Sequence, residues 1–159
     1  MLGRAIAGSL MLATSAFAAC DSSKSSQTPD SRYVLNGGTA NDTVTGLTWQ
    51  RCSVGQSWKD GAGCEGNLSW MTWDQAMNAG TGKWRLPTKD ELGTLVAPTC
   101  KNPAINETVF PNMNPDNPTY WTSTHIDRFY WSVFFDVGNY HDTSYPSNTF
   151  AVRLVQSRP

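Results

Sequence analysis

Apolar residues recur along this chain with two different periods, and each period predicts a different element. Trp73, Ala76 and Met77 lie three and four positions apart, the spacing of one face of a helix. The segment 72–80 is therefore predicted to be helical. From 130 to 137 apolar and polar residues alternate, which is typical of a strand with one buried face.

The stretch KWRLPTKDEL, residues 83–92, changes character at its proline. The residues before Pro87 are predicted to be extended, because proline disfavours a helical conformation in its predecessor. Thr88 and Glu91 then form the pattern of a capping box, in which each side chain accepts a backbone N–H of the first helical turn. Arg85 is predicted to pair with a nearby acid. The segment is thus interpreted as scaffold, not as a reactive site.

Further runs of β-branched and aromatic residues predict strands at 33–35, 43–50, 120–123 and 150–155. A loop rich in Pro and Asn spans 99–119, and Ile105, Val109 and Phe110 are expected to pin it to the core. The order of strands, two helices and more strands predicts an α+β fold with antiparallel sheets. Its length fits a single domain over residues 32–159.

The N-terminus has the features of an export signal. Residues 1–19 carry Arg4 followed by a short apolar run, which predicts a signal peptide. The letters FAAC that end at Cys20 fit a lipobox, so Cys20 is predicted to be lipidated and 20–31 to be a flexible polar tether. Cleavage after Ala18 instead would yield a secreted protein.

The charge balance argues against nucleic acid as a partner. The chain has 12 basic and 13 acidic residues and a formal net charge of −1. Nucleic-acid binding domains usually carry a basic surface, because they neutralise phosphates. No apolar stretch after the signal peptide is long enough to span a membrane. The lipid anchor is therefore the only membrane attachment that the sequence predicts.

Cysteine spacing predicts one disulfide. Cys52 and Cys64 bracket a short glycine-containing loop, which in an exported protein is typical of a disulfide-closed loop. Cys100 is left as a buried free thiol or as an alternative partner for either of them. Without a CxxC pair, no zinc site is expected. The oxygen-rich loop 114–117 is the one calcium candidate, but such loops are more often turns, and no metal or cofactor is predicted.

Catalytic patterns are weak. Ser123 and His125 lie two positions apart on a predicted strand, and Cys100 is a further nucleophile candidate. An activated serine needs a base within hydrogen-bond reach and a third group that orients it, and there is no GxSxG motif. The sequence therefore predicts a protein that is not an enzyme.

A recognition surface is predicted between the late strands. Aromatic rings among hydrogen-bonding side chains suit carbohydrate or protein recognition. The residues predicted to form it are His125, Arg128, Tyr140, His141 and Asp142. The alternative is that the aromatic residues of this segment only close the core.

Taken in order, several motifs resemble one family. They are TGLTWQRCSVGQSW, WDQA, WRLPTKDEL, NPAINETVFP, YWTST and VRLV. Over residues 44–155 they resemble the Lcl C-terminal domain family, named for a collagen-like adhesin of Legionella. The resemblance implies a C-type-lectin-like fold, an envelope or secreted location and, from the namesake adhesin, binding of sulfated glycosaminoglycans. This chain lacks a collagen-like repeat, so trimerisation through such a stalk is not implied. Its mild acidity argues against binding of sulfated glycans.

Together these observations predict a bacterial envelope lipoprotein whose domain recognises a glycan, an envelope polymer or an envelope protein without catalysis. One alternative is a structural component of envelope assembly with no small ligand. Another follows from the likeness of WRLPT to formylglycine-generating-type domains. That chemistry uses paired cysteines near the C-terminus, and this chain has none after Cys100.

Overall fold

The computed structural model describes residues 19–114 and 116–157, so the predicted signal peptide lies outside the described residues except at its last position. The side chains of residues 141–143 are outside the description as well. The elements in chain order are β1 (Ala19–Cys20), a 3-10 turn (Asp30–Arg32), β2 (Tyr33–Asn36), β3 (Thr39–Asp42), β4 (Leu47–Gln50), β5 (Ser57–Lys59), β6 (Gly63–Glu65), α1 (Trp73–Met77), α2 (Lys89–Gly93), β7 (Cys100–Lys101), β8 (Thr119–Ile126), β9 (Phe129–Phe134), β10 (Asn139–Ser144) and β11 (Val155–Ser157).

Antiparallel sheets and two short helices confirm the predicted α+β class. The largest sheet has the order β11-β4-β3-β2, and a second has the order β10-β9-β8. Pairing of Val155 with Trp49 brings the last strand beside the early ones. An isolated bridge from Tyr120 to Ala151 connects β8 to the segment before β11. A second, from Arg85 to Val155, connects the segment before α2 to β11.

Aromatic and aliphatic side chains from every part of the domain share one main core. Trp49 and Tyr120 are fully buried there beside Leu92 of α2. Ile105, Val109 and Phe110 of the long loop are buried to 1% exposure or less. The prediction that they pin this loop to the core is confirmed. Burial of a side chain of this size removes enough apolar area from water to stabilise the fold by about 1.5–3 kcal/mol.

Both helices begin at the predicted capping boxes. Thr72 accepts from the backbone N–H of Gln75, whose side chain accepts from Thr72. At α2 the Glu91 carboxylate accepts from the Thr88 N–H at 2.8 Å, and the Thr88 hydroxyl accepts from the Glu91 N–H at 3.2 Å. Arg85 donates to both Glu91 oxygens at 2.8 and 2.6 Å. The predicted pairing of Arg85 with an acid is therefore confirmed.

Strands whose polar residues do not alternate with apolar ones were not predicted from the sequence. The predicted strand 43–50 begins only at Leu47, and β3 precedes it. Asn41 of β3 accepts a hydrogen bond from the Thr48 hydroxyl at 2.8 Å, a cross-strand contact that local periodicity does not reveal. The β5–β6 hairpin and β10 were likewise expected to be loop or turn.

Two arginines are buried without an acidic partner among the described residues. Arg153 is 1% exposed, donates to the carbonyls of Gln50 and Arg51, and lies over the Phe110 ring at 5.0 Å. Arg51 donates to the carbonyls of Val109 and Thr108 at 2.8 and 3.1 Å. Burial lowers the pKa of both guanidinium groups. Arg51 also donates to the Gly37 carbonyl, so its guanidinium joins the long loop to the β2–β3 turn.

Two disulfides are present. Cys52 pairs with Cys64, as the spacing predicted, and closes the loop that contains the β5–β6 hairpin. Cys20 pairs with Cys100, a pairing that the sequence reading did not consider. A sulfur in a disulfide cannot also carry a lipid, so this pairing and lipidation are alternative states of Cys20. Lipidation of Cys20 stays a prediction.

The segment after Cys20 makes specific contacts with the domain. Thr28 is 1% exposed. The Asn106 side chain donates to the Thr28 carbonyl at 2.8 Å and to Asp30 at 2.7 Å. The Asp21 N–H donates to the Thr99 carbonyl at 2.7 Å. In the disulfide-bonded state these contacts fix the segment 20–31, whose flexibility in a lipidated state stays a prediction.

Disulfides are typical of proteins outside the reducing cytoplasm. The two in this structure therefore favour an extracellular or envelope location. Among residues 19–114 and 116–157, none of the helices has the length and apolar character needed to cross a bilayer.

Candidate functional site

The sheet of β8, β9 and β10 carries the predicted recognition residues, and its pairing assigns each to a face. His125 is paired with Tyr130, whereas Tyr140 is paired with Val133. Directly paired residues project to the same side, and successive residues of β9 project to opposite sides. His125 and Tyr140 therefore lie on opposite faces of the sheet, and the predicted set does not form one surface.

On one face His125 belongs to an aromatic cluster beside α1. Its ring stacks on Tyr130 with centroids 5.6 Å apart and meets Trp73 edge-on at 5.3 Å. The Trp73 indole N–H donates to the Thr122 carbonyl at 2.9 Å. Among the described contacts, no hydrogen bond joins the side chains of Ser123 and His125. The imidazole therefore acts here as a packing ring.

On the other face Tyr140 lies beside α2, next to two residues that the sequence did not predict to be its neighbours. The Lys89 ammonium is 4.3 Å from the centroid of the Trp131 ring and 5.9 Å from that of Tyr140. Tyr140 is 47% exposed and Trp131 is half-buried. We call these three residues the Lys89–Trp131–Tyr140 surface. It offers two ring faces, an ammonium and a phenol, a combination suited to hydrogen bonding and stacking.

Electrostatics keeps the Tyr140 phenol protonated. Partial burial raises its pKa, and the nearby carboxylate of Asp90 raises it further. Asp90 also lies 3.7 Å from the Lys89 ammonium, but it is almost fully exposed. Such an exposed ion pair contributes little energy. The phenol is thus available as a hydrogen-bond donor, and Lys89 remains available to a ligand.

The other predicted contact residues fall elsewhere. Arg128 lies in the turn between β8 and β9, where Asp127 has a φ of 53°. Its guanidinium lies 5.7 Å from the Phe129 ring centroid. His141 and Asp142 are in β10, but their side chains lie outside the described part of the structure.

In the loop predicted as the calcium candidate, a side-chain oxygen already accepts backbone hydrogen bonds. The Asn114 side-chain oxygen accepts from the N–H groups of Asp116 and Asn117 at 2.8 and 3.2 Å. That arrangement is an Asx turn, the common role of such a sequence. Within residues 19–114 and 116–157, no group of three or more His, Cys, Asp or Glu side chains is arranged to hold a metal ion.

Lys89 and Trp131 were missed for a physical reason. They are far apart in the sequence, and Lys89 lies in a stretch whose polar residues already had capping or pairing roles. Only the packing of α2 on β9 brings the two side chains together.

Comparison with known proteins gives one match. The family model described as the Lcl C-terminal domain matches residues 38–156, which is most of the chain. No curated protein matches the chain significantly. No solved structure matches it significantly either.

Proposed function

Because the chain belongs to the Lcl C-terminal domain family, we propose that it is a non-catalytic recognition module of the bacterial envelope that binds a glycan or another envelope polymer. The family membership fits recognition outside the cytoplasm in general. The polymer, the lipid anchor at Cys20 and the absence of catalysis are parts of the proposal. So is the relation of this α+β fold to the C-type-lectin-like superfamily.

The observation that supports the proposal is the Lys89–Trp131–Tyr140 surface. Half-exposed rings beside a cation and a phenol donor can stack on the C–H face of a sugar while hydrogen-bonding to its hydroxyl or acidic groups. Tyr140 is 47% exposed, so its ring is accessible to a ligand. The positive charge of Lys89 favours binding of an anionic polymer at this surface.

A glycan-array screen of the processed protein tests the proposal, run once with calcium and once with chelator. We expect binding of at least one acidic glycan that survives chelation and that is lost in Tyr140→Ala. Tyr145→Ala is the matched control, because Tyr145 is the same residue type and is 63% exposed. Equal loss in both variants would argue against the surface.

The alternatives predict other results. A structural component of envelope assembly would bind no glycan on the array and would instead be recovered with an envelope protein after cross-linking in cells. Binding lost on chelation would point to a metal-dependent site.

A further inference from the structure

We infer that a second surface, separate from the Lys89–Trp131–Tyr140 surface, is a subsite for a neutral oligosaccharide. It is a groove beside the Cys52–Cys64 loop, and we call it the Trp70 groove. The residues that carry the argument are Asn67, Leu68, Trp70, Asn112, Asn114 and Asp116. The inference rests on the proposed recognition of carbohydrate, but it assigns binding of a neutral oligosaccharide to different residues.

The groove has the size and the aromatic platform that a sugar requires. Its volume is about 480 Å³, within the range of about 300–1,000 Å³ typical of ligand pockets. Trp70 is 39% exposed in it, and its indole N–H has no partner among the described residues. An exposed indole offers an apolar face to the C–H side of a pyranose ring and a donor to its hydroxyls.

Three side-chain amides line the same groove and keep hydrogen-bonding capacity. Asn67 is exposed, and its side chain makes no hydrogen bond with another described residue. Asn112 donates its NH₂ to the Cys64 carbonyl, which leaves its side-chain oxygen as an acceptor. Asn114 uses its oxygen in the Asx turn, which leaves its NH₂ as a donor. Donors and acceptors side by side match vicinal hydroxyls, each of which both donates and accepts.

The charge of the groove selects a neutral ligand. Among the described residues that line it, Asp116 is the one ionisable group, and there is no Lys, Arg or His. Sulfated or phosphorylated polymers are recognised by arginine and lysine, so an anionic chain would meet only repulsion here. Grooves that bind helical peptides are lined by hydrophobic side chains, whereas Trp70 and Leu68 are the large apolar residues of this lining.

The walls of the groove are fixed in advance. A Cβ on Gly55 would lie 2.5 Å from the Asn67 carbonyl oxygen, so only glycine permits this close approach. The Ser69 N–H donates to the Val54 carbonyl at 2.8 Å on the same wall. The Gln56 side chain, which follows Gly55, donates to the Asn112 carbonyl at 3.2 Å and so connects these two segments of the lining. A preformed site binds with a smaller ordering cost.

The test is a titration of the processed, ¹⁵N-labelled protein, followed by NMR of the tryptophan indole resonances. The neutral probes are cellotetraose, maltotetraose and the tetramer of N-acetylglucosamine, and a heparin fragment is the anionic comparison. Trp70→Phe assigns the indole resonance. We expect at least one neutral tetramer to shift it at millimolar concentration, and heparin to leave it unchanged.

Variants separate this site from the one proposed above. We expect Trp70→Ala to weaken binding of the neutral tetramer by at least an order of magnitude. Asn67→Ala should weaken it less, and Tyr140→Ala should leave it unchanged. Both Trp70 and Asn67 are solvent-exposed, so neither substitution should unfold the domain.

Three outcomes would overturn the inference. One is a Trp70 resonance that none of the neutral tetramers moves. Another is a resonance that heparin moves more than they do. The third is binding of the neutral tetramers that Tyr140→Ala abolishes and Trp70→Ala does not, which would leave the proposed function standing while removing the groove from it.

Discussion

The hydroxyl of Tyr140 occupies the space that a side chain on Gly93 would need: a Cβ built there would lie 1.8 Å from the phenol oxygen. Gly93 is the last residue of α2, and its lack of a side chain lets the ring lie against the helix. The glycine thus sets the position of the most exposed ring of the Lys89–Trp131–Tyr140 surface.

We expect Gly93→Ala to behave differently in two backgrounds. With Tyr140 present, the new methyl group displaces the ring, so alanine should not stabilise the protein. In a Tyr140→Ala background the clash is gone, and the higher helix propensity of alanine should add up to about 1 kcal/mol to the free energy of unfolding. Urea unfolding of the four proteins gives this double-mutant cycle. Equal effects in both backgrounds would show that the contact does not restrain the ring.

The α2 capping box provides a test of the scaffold interpretation. Thr88→Ala removes the acceptor for the Glu91 N–H and should lower the free energy of unfolding by about 1 kcal/mol. Thr88→Ser retains the hydroxyl and serves as the control. Glycan binding should be unchanged in both variants. Lost binding at unchanged stability would assign a direct binding role to this segment.

The Arg85–Glu91 pair makes stability depend on pH. Hydrogen bonding from Arg85 is the main cause that holds the pKa of Glu91 below its ordinary value of 4.5, against an opposing effect of burial. The unfolded state therefore binds a proton first as the pH falls. The stabilisation is fully present above pH 4.5 and is lost as the pH falls through the lower folded-state pKa.

Glu91→Gln isolates this contribution, because glutamine keeps the capping box but not the charge. We expect the difference in the free energy of unfolding between the two proteins to be largest near neutral pH and to shrink on acidification to pH about 3. Chemical denaturation across this range measures it. A difference that stays constant with pH would contradict the assigned role.

The Cys52–Cys64 disulfide should matter for stability and for the Trp70 groove. Its loss in a Cys52→Ser, Cys64→Ser double variant should cost about 3 kcal/mol, because a loop of this length gains entropy in the unfolded chain. The Asn112 side chain donates to the Cys64 carbonyl, so sugar-induced shifts at Trp70 should also weaken. Thermal unfolding and the NMR titration measure the two effects. Unchanged melting would show that the cross-link does not restrain the unfolded chain.

Lipidated Cys20 and disulfide-bonded Cys20 can be distinguished by the number of free thiols in the protein. With Cys52 and Cys64 paired, lipid on Cys20 leaves Cys100 free, whereas the Cys20–Cys100 disulfide leaves no free thiol. Alkylation of denatured, unreduced protein followed by intact-mass measurement should therefore find one alkyl group on every lipidated molecule and none on the others. Lipidated molecules without an alkyl group would mean that Cys100 pairs elsewhere.

Elements defined by neighbouring residues could be predicted from the sequence. The capping boxes at Thr72 and Thr88 depend on side chains three positions apart, and the Arg85–Glu91 pair spans six positions. The β3 and β10 strands could not be predicted in this way. Each is held by pairing with another strand, and no local pattern shows that pairing.

The candidate site was predictable only as a region. The sequence indicated that rings and polar groups concentrate between the late strands, and Tyr140 is indeed exposed there. It did not separate His125 from Tyr140, because the face of each depends on its register with β9. The Trp70 groove depends on a close backbone approach at Gly55 that spacing alone does not reveal.

By itself the sequence determined the α+β class, the two capped helices and the Cys52–Cys64 cross-link, because each follows from short-range chemistry or composition. Tertiary structure alone decided that Arg51 and Arg153 are buried against carbonyls, that Cys20 can reach Cys100, and that Lys89 lies over Trp131. Each of these contacts joins residues that are distant in the chain, so its existence depends on how the strands and loops pack.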